Sequence, residues 1–256
     1  MTDGSFRFLR VRFPKMKKLN LLYTGKAKKV YATENSDYCI FEYKDAATAF
    51  NGQKVGFFDG KGMINNKMAN AIFKLLEKDG IKTHFVEELS DRESLVKRVE
   101  IIPLEVIIRN ISAGSFCKRY GVEEGEVFDK PTIEFSYKND ALGDPLINSY
   151  HAYALKIATE EDVLEIKRMA FAVNESLKKI FLKMDIKLVD FKLEFGKTKD
   201  GEIVLADEIS PDTCRLWDAE TNKKLDKDRF RFDMGEFSDV YFEVWNRLKE
   251  CYGEII

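Results

Sequence analysis

The sequence predicts an α+β fold with a strand-rich N-terminal lobe. Three observations carry that prediction. Strand-like segments crowd roughly the first hundred residues, long amphipathic helices are read at about 62–79, 160–184 and 237–250, and an alternating stretch at 188–209 reads as a β-hairpin.

Residues 1–15 alternate basic with apolar side chains (Phe6, Arg7, Phe8, then Arg10, Val11, Arg12, Phe13) and lack the continuous apolar core of a signal peptide. They are read as an N-terminal extension, with Met16 as the functional start. Short strands are expected at 19–24, 28–33 and 37–43. Met63, Ile64, Met68, Ile72, Phe73, Leu75 and Leu76 recur near helical spacing up to Gly80, which gives the first long helix. The run from Ile101 to Arg109 is apolar enough for a buried strand. It is followed by Ser112-Ala113-Gly114-Ser115 and a short helix at 116–120 closed by Gly121. Thr159 is a good N-cap for the second long helix: Asp162 completes a capping box, and Glu160 and Glu161 suit the positive end of the helix dipole.

The hairpin carries the first chemical hint. Val189, Phe191, Leu193 and Phe195 are expected on one face, and Asp190, Lys192 and Glu194 on the other, because successive strand residues point to opposite sides. Asp200-Gly201 reads as a two-residue turn, which sets Glu194 opposite Asp207. Like charges facing each other are unfavourable. A cation between them resolves the conflict, and Mg²⁺ held by carboxylates and substrate phosphates is the common arrangement. The plainer reading is a solubility-bearing hairpin with a looser turn and a different register.

Composition narrows the classes. Forty-two Lys and Arg against 44 Asp and Glu leave a net charge of −2, so nothing points to nucleic acid or to a membrane surface. The four cysteines have neither zinc nor redox spacing and read as free thiols of a cytoplasmic protein. His84 and His151 stand alone, outside any metal or catalytic motif.

Two further stretches suggest phosphate binding. Gly25-Lys26-Ala27-Lys28 lies between two strands, where the glycine lets the backbone bend over a ligand and the lysines can meet phosphate, although a solvated Lys-rich turn looks the same. It is not a Walker loop. Arg109 with Ser115 at a helix start offers a guanidinium, a hydroxyl and N–H donors for a phosphate monoester; the alternative is a snorkelling arginine and a capping serine.

The loop Glu208-Ile209-Ser210-Pro211-Asp212-Thr213-Cys214-Arg215-Leu216-Trp217-Asp218 resembles the signature of the phosphoribosylaminoimidazole-succinocarboxamide synthase (SAICAR synthetase) family. The blocks Gly25–Tyr31, Arg109–Ser115, Lys138-Asn139-Asp140 with Asp144-Pro145, and Leu225–Arg231 follow the family's order, from about Leu22 onward.

The resemblance implies two lobes with ATP in the cleft, broadly like a protein kinase: an N-terminal ATP-binding lobe at 16–103 and a C-terminal substrate- and metal-binding lobe at 104–256. It implies Gly25, Lys26, Ala27 and Lys28 over ATP, Glu194 and Asp207 as Mg²⁺ ligands shared with ATP, and Arg109, Ser115, Lys138, Asp190, Asp212 and Arg215 at the nucleotide substrate. Lys192, Asp212 and Arg215 are the catalytic candidates, though for Lys192 charge balance within the sheet remains an equal explanation. The segment Glu100–Leu104 would join the lobes and meet adenine. Many members read Ser-Ala-Phe-Asp where this chain has Thr48-Ala49-Phe50-Asn51, so no carboxylate role is assigned there.

The implied activity is ATP-dependent joining of L-aspartate to carboxyaminoimidazole ribonucleotide, through an acyl phosphate. The implied partners are small molecules only, with a homodimer left open. A kinase and a non-catalytic nucleotide sensor are the rival readings. The first lacks His-Arg-Asp and Asp-Phe-Gly signatures, and the second does not account for Lys26, Glu194, Asp207 and Arg215 together.

Overall fold

The computed structural model describes residues 16–49 and 52–254. The expectations for residues 1–15 and for Phe50 and Asn51 lie outside the described residues. Two antiparallel sheets follow one another along the chain. The first contains β1 (Lys18–Thr24), β2 (Lys28–Thr33), β3 (Tyr38–Tyr43), β6 (Phe85–Glu88) and β7 (Glu93–Lys97) in the order β1-β2-β3-β7-β6. A small hairpin of β4 (Ala46–Ala49) and β5 (Lys54–Phe57) and the helix α1 (Lys61–Lys78) interrupt it.

The second sheet starts with β8 (Glu100–Ile111). A short helix α2 (Ser115–Tyr120), β9 (Val127–Tyr137), β10 (Leu146–Ile147), α3 (Ser149–Ala154), α4 (Glu160–Lys183), β11 (Ile186–Lys197), β12 (Ile203–Ala206), β13 (Cys214–Asp218), α5 (Asp228–Arg231) and α6 (Phe237–Tyr252) follow. The strand order is β10-β9-β8-β11-β12, with β13 also paired to β11. The expected capping box of α4 forms, Thr159 Oγ1 accepting from Asp162 N–H and Asp162 Oδ2 from Thr159 N–H, both at 3.2 Å.

The two sheets share one core. Tyr43 and Ala47 of the first region, Met68 and Phe73 of α1, Phe181 of α4, Phe191, Leu193 and Phe195 of β11 and Tyr241 of α6 belong to a single buried cluster. At about 25 cal/mol per Å², that shared burial is the main term holding one sheet against the other. Gly196 marks the crossing: a Cβ there would lie 2.5 Å from Val99 Cγ2, in the connection between β7 and β8.

The hairpin forms, but two details of its expected geometry are corrected. Its turn has three residues, Lys199, Asp200 and Gly201, because Thr198 N–H donates to Glu202 O at 2.9 Å and Gly201 takes a left-handed φ of 81°. That shifts the pairing by one residue, so Glu194 faces Ala206 and not Asp207. Val189 also leaves the expected face. The β11–β13 pairing is irregular between Leu188 and Asp190, and Val189 packs with Ile111, Ala113 and Trp217 in a separate small cluster while Phe191 onward face the main core.

Candidate functional site

The polar face of β11 is the spine of the site. At its Asp190 end, β8 brings Arg109 and β13 brings Arg215 into register on either side of Asp190. Arg109 Nη1 donates to Asp190 Oδ2 at 2.5 Å and its Nε to Glu134 at 2.9 Å. Arg215 Nη1 donates to Asp190 at 2.9 and 3.1 Å and its Nε to Asp228 at 2.9 Å. Arg231 adds a bond to Asp228 at 2.6 Å. Ser115 Oγ lies 3.5 Å from Arg109 Nη2, so the expected pairing of a hydroxyl with this guanidinium is in place. Gly114 has a left-handed φ of 57°, and the Arg215 guanidinium occupies the space where its Cβ would stand. A cavity of about 330 Å³ opens over these groups, lined also by Lys192, Asp212 and Lys227.

At the other end the cations are lysines. Glu194, 4% exposed, accepts from Lys138 through both oxygens at 2.6 Å and from Lys192 at 2.7 Å. The carboxylate opposite it across the sheet is Glu105 of β8, to which Lys192 also donates at 2.8 Å. The cation expected between two facing carboxylates is therefore present as an ammonium, and the partner is Glu105 in place of Asp207. Lys138 stands with Glu194 and not with Arg109, although both were expected at the nucleotide substrate. Burial opposes the charge on Lys192, yet Glu194 and Asp207 raise its pKa well above the ordinary lysine value.

The Gly25 loop reaches this end from the first sheet. Gly25 N–H donates to Lys28 O at 2.8 Å, closing a tight turn between β1 and β2. Lys26 then pairs with Asp140 at 2.9 Å, and Lys28 with Asp207 at 2.5 Å, both tying the first sheet to the second half of the chain. Asp207 follows the last residue of β12 with a left-handed φ of 59°, so local backbone, not strand pairing, aims its carboxylate. Burial opposes its charge, but Lys28 and Lys192 hold that carboxyl well below the usual range. Burial pushes neighbouring Glu208 the other way, up to about 7 against the pull of Lys28, whose Nζ is 4.0 Å away. Among the described residues, Glu208 Oε2 is buried without a hydrogen-bond partner.

The third wall is the loop after β12. Asp212 accepts from Lys61 and from the Tyr241 hydroxyl, each at 2.6 Å. Although burial disfavours its charge, Lys227 and Lys61 hold this carboxyl well below the usual range. No group of three or more His, Cys, Asp or Glu side chains among the described residues stands ready to hold a metal alone. Glu194 and Asp207 supply hard oxygen donors that fit Mg²⁺ when phosphate oxygens complete the shell.

Of the expected residues, Arg109, Ser115, Asp190, Lys192, Asp212 and Arg215 line one cavity, Lys138 and Glu194 connect to it through Lys192, and Lys26 and Lys28 of the Gly25 turn pair with Asp140 and Asp207. Sequence reasoning missed Lys61, Glu134, Glu208, Lys227, Asp228, Arg231 and Tyr241. Lys227, Asp228 and Arg231 lie within the family-like stretch Leu225–Arg231, which carries no residue-level role by itself, and the turn Asp59-Gly60-Lys61-Gly62 is a usable signal for a lysine at a helix start. His84 is buried edge-on between Phe41 and Phe73, and His151 joins Asn148 in the capping box of α3.

Comparison with known proteins gives one consistent result. A family model described as SAICAR synthetase matches residues 21–248. Phosphoribosylaminoimidazole-succinocarboxamide synthase of Lachnoclostridium phytofermentans is 60% identical over 233 residues, 91% of this chain and 99% of its own. The same enzyme of Coprothermobacter proteolyticus is 58% identical, with equal coverage. The crystal structure from Ehrlichia chaffeensis superposes with a TM-score of 0.88 at 46% identity, covering 90% of this chain and 98% of that one. A SAICAR synthetase in complex with ADP superposes with a TM-score of 0.87 at 50% identity, covering 89% of this chain and 97% of that one.

Proposed function

The chain belongs to the SAICAR synthetase family, and from that premise we propose how the cleft along β11 carries out the family's reaction. The enzyme is a carbon–nitrogen ligase of purine biosynthesis. It joins L-aspartate to the carboxylate of carboxyaminoimidazole ribonucleotide, using ATP, and gives SAICAR, ADP and phosphate.

One observation carries the assignment of parts: a single strand presents an arginine–carboxylate array at Asp190 and a lysine–carboxylate array at Glu194, with Lys192 between them on the same face. Planar guanidiniums with a hydroxyl suit the phosphate monoester of the ribonucleotide, so Arg109, Ser115, Asp190 and Arg215 hold that substrate. Lys26 and Lys28, on the glycine turn, cover the phosphates of ATP, and Glu100–Leu104 between the lobes meets adenine. The ADP-bound relative supports nucleotide binding in this fold.

Glu194 and Asp207 would hold Mg²⁺, which supplies charge neutralisation at the transferring phosphoryl group. Lys138, Lys192 and Lys28, which now hold those carboxylates, are then free to turn towards phosphate oxygens. A carboxylate oxygen of the nucleotide attacks the γ-phosphorus and ADP leaves. The amine of aspartate, as the free base, attacks the resulting acyl carbon, expels inorganic phosphate and gives up a proton. Lys192 stabilises charge on the phosphoryl group in both steps, while Asp212 and Arg215 position the ring. Such chemistry needs positioning and charge more than a nucleophile of the protein's own.

Small molecules suffice as partners, and the reading includes a cytoplasmic location. No helix among the described residues is long and apolar enough to cross a membrane, and all four thiols are free. The test is a coupled assay of ADP release. It should require Mg²⁺, carboxyaminoimidazole ribonucleotide and L-aspartate together; steady ADP release without aspartate, onto a hydroxyl acceptor, would sink the reading.

A further inference from the structure

Five cations line the cavity over Asp190: Arg109, Lys192, Arg215, Lys227 and Arg231. Four of them are hydrogen-bonded to the protein's own acids: Arg109 to Glu134 and Asp190, Lys192 to Glu105 and Glu194, Arg215 to Asp190 and Asp228, and Arg231 to Asp228. Lys227 is different. Its side chain is only 13% exposed, yet the nearest carboxylate oxygen, Asp212 Oδ2, is 3.6 Å away, and its ammonium donates no hydrogen bond among the described residues. That same oxygen already accepts from Lys61 at 2.6 Å, and Asp212 Oδ1 accepts from Tyr241. Burial, with Lys61 and Arg231 close by, pushes the Lys227 pKa below the ordinary lysine value.

Lys227 shares Asp212 as an ion-pair partner with Lys61, but both Asp212 oxygens already accept a shorter bond, from Lys61 and from Tyr241, so the donors of the Lys227 ammonium are left without a hydrogen-bond acceptor among the described residues. A buried cation left short of acceptors beside an open cavity is repaid when an anionic ligand group enters. The reaction brings three anionic substrates. On the assignment above, the ribonucleotide phosphate lies at Arg109 and Ser115 and the phosphates of ATP lie at Glu194 and Asp207. Lys227 lines the same cavity as Arg109 and Ser115, but among the described residues it pairs with none of these four. The Pro211-Asp212 loop holds it, its backbone N–H donating to Pro211 O at 3.1 Å.

We propose that Lys227 receives a carboxylate of L-aspartate and so positions the amine for attack on the activated nucleotide carboxylate. This rests on the ligase reading and deepens it. The test is Lys227→Met in the intact enzyme, with KM measured separately for L-aspartate, ATP and carboxyaminoimidazole ribonucleotide. The KM for aspartate should rise about tenfold or more, as expected for the loss of one charged contact. The other two KM values should stay within about twofold. Succinate, which keeps both carboxylates and lacks the amine, should compete with aspartate on the wild type and weaken by a similar factor on the variant.

The KM split separates this role from a structural one. Lys227→Met also removes a cation that helps to hold the buried Asp212 carboxylate, so the variant should melt somewhat lower, and Lys227→Arg should restore the melting temperature and part of the aspartate affinity. An unchanged KM for aspartate, an equal rise for all three substrates, or a general loss of turnover that Lys227→Arg does not relieve overturns the proposal. Wild-type enzyme that releases no ADP with the three substrates overturns the ligase reading itself, and the proposal falls with it.

Discussion

The two ends of β11 hold their charges with different chemistry. Around Asp190 the cations are arginines, locked by several bonds each into Glu134, Asp190 and Asp228. Around Glu194 and Asp207 they are lysines, Lys28, Lys138 and Lys192. An arginine fork fixes direction as well as charge, whereas a lysine is a point charge on a flexible stem. The arginine end is thus built before substrate arrives. The lysine end is a set of replaceable counter-ions, suited to carboxylates that must release one cation to accept another.

The sharpest way to break that comparison is Asp207→Asn. With Mg²⁺ and ATP present, turnover should fall by about a hundredfold or more, the scale seen when metal affinity is impaired. Facing carboxylates alone would have made the metal-free variant as stable as wild type or better. The structure reverses that expectation, because Lys28 would lose its 2.5 Å partner while remaining largely buried. Metal-free Asp207→Asn should therefore be less stable, by about 2 kcal/mol. The wild type should also gain more melting temperature from Mg²⁺-ATP than the variant does. Full turnover with an unchanged ligand-induced shift would show that Asp207 is only a lysine's counter-ion.

A smaller effect is expected at the arginine end from Arg109→Lys, which keeps the charge and removes the fork. The KM for carboxyaminoimidazole ribonucleotide should rise about tenfold to thirtyfold, with the KM for ATP nearly unchanged. Equal losses for both substrates would make Arg109 a scaffold residue and erase the distinction between the two ends.

What the sequence revealed follows the same line between local and distant determinants. β1 to β3, α1, α4 and α6 were legible because alternation, helical spacing and the Thr159–Asp162 box are written within a few residues. The hairpin register was not, because one left-handed glycine at 201 turns a two-residue loop into a three-residue one and moves every cross-strand pair. Nor was the aim of Asp207, set by its own left-handed backbone. Arg109, Asp190 and Arg215 were selected by family resemblance, and only the sheet order explains why they meet. Lys61 reaches Asp212 across 151 residues of sequence, and no local pattern anticipates that contact.

The smallest expected effect concerns pH, and it probes the lysine end alone. His84 is buried against Phe41 and Phe73, and burial, with Lys28 nearby, pushes its pKa down to about 3. The folded protein keeps His84 neutral while the unfolded chain takes up a proton below about 6.5, so this group costs about 2 kcal/mol of stability as pH falls from 7 to 5. Glu208 acts in the opposite direction. Burial pushes its pKa up to about 7, so the folded protein holds a proton that the unfolded chain has lost above about 4.5, and stability falls by about 2 kcal/mol as pH rises from 5 to 7. The two contributions nearly cancel in the wild type, and single substitutions should expose each slope. Denaturant unfolding at pH 5, 6 and 7 should show His84→Phe losing stability relative to wild type as pH rises, and Glu208→Gln gaining it. Arg109→Lys, at the other end, should keep the wild-type profile. Parallel profiles for all four proteins would mean that neither His84 nor Glu208 is held away from its ordinary ionisation, and that the lysine end is as fixed in charge as the arginine end.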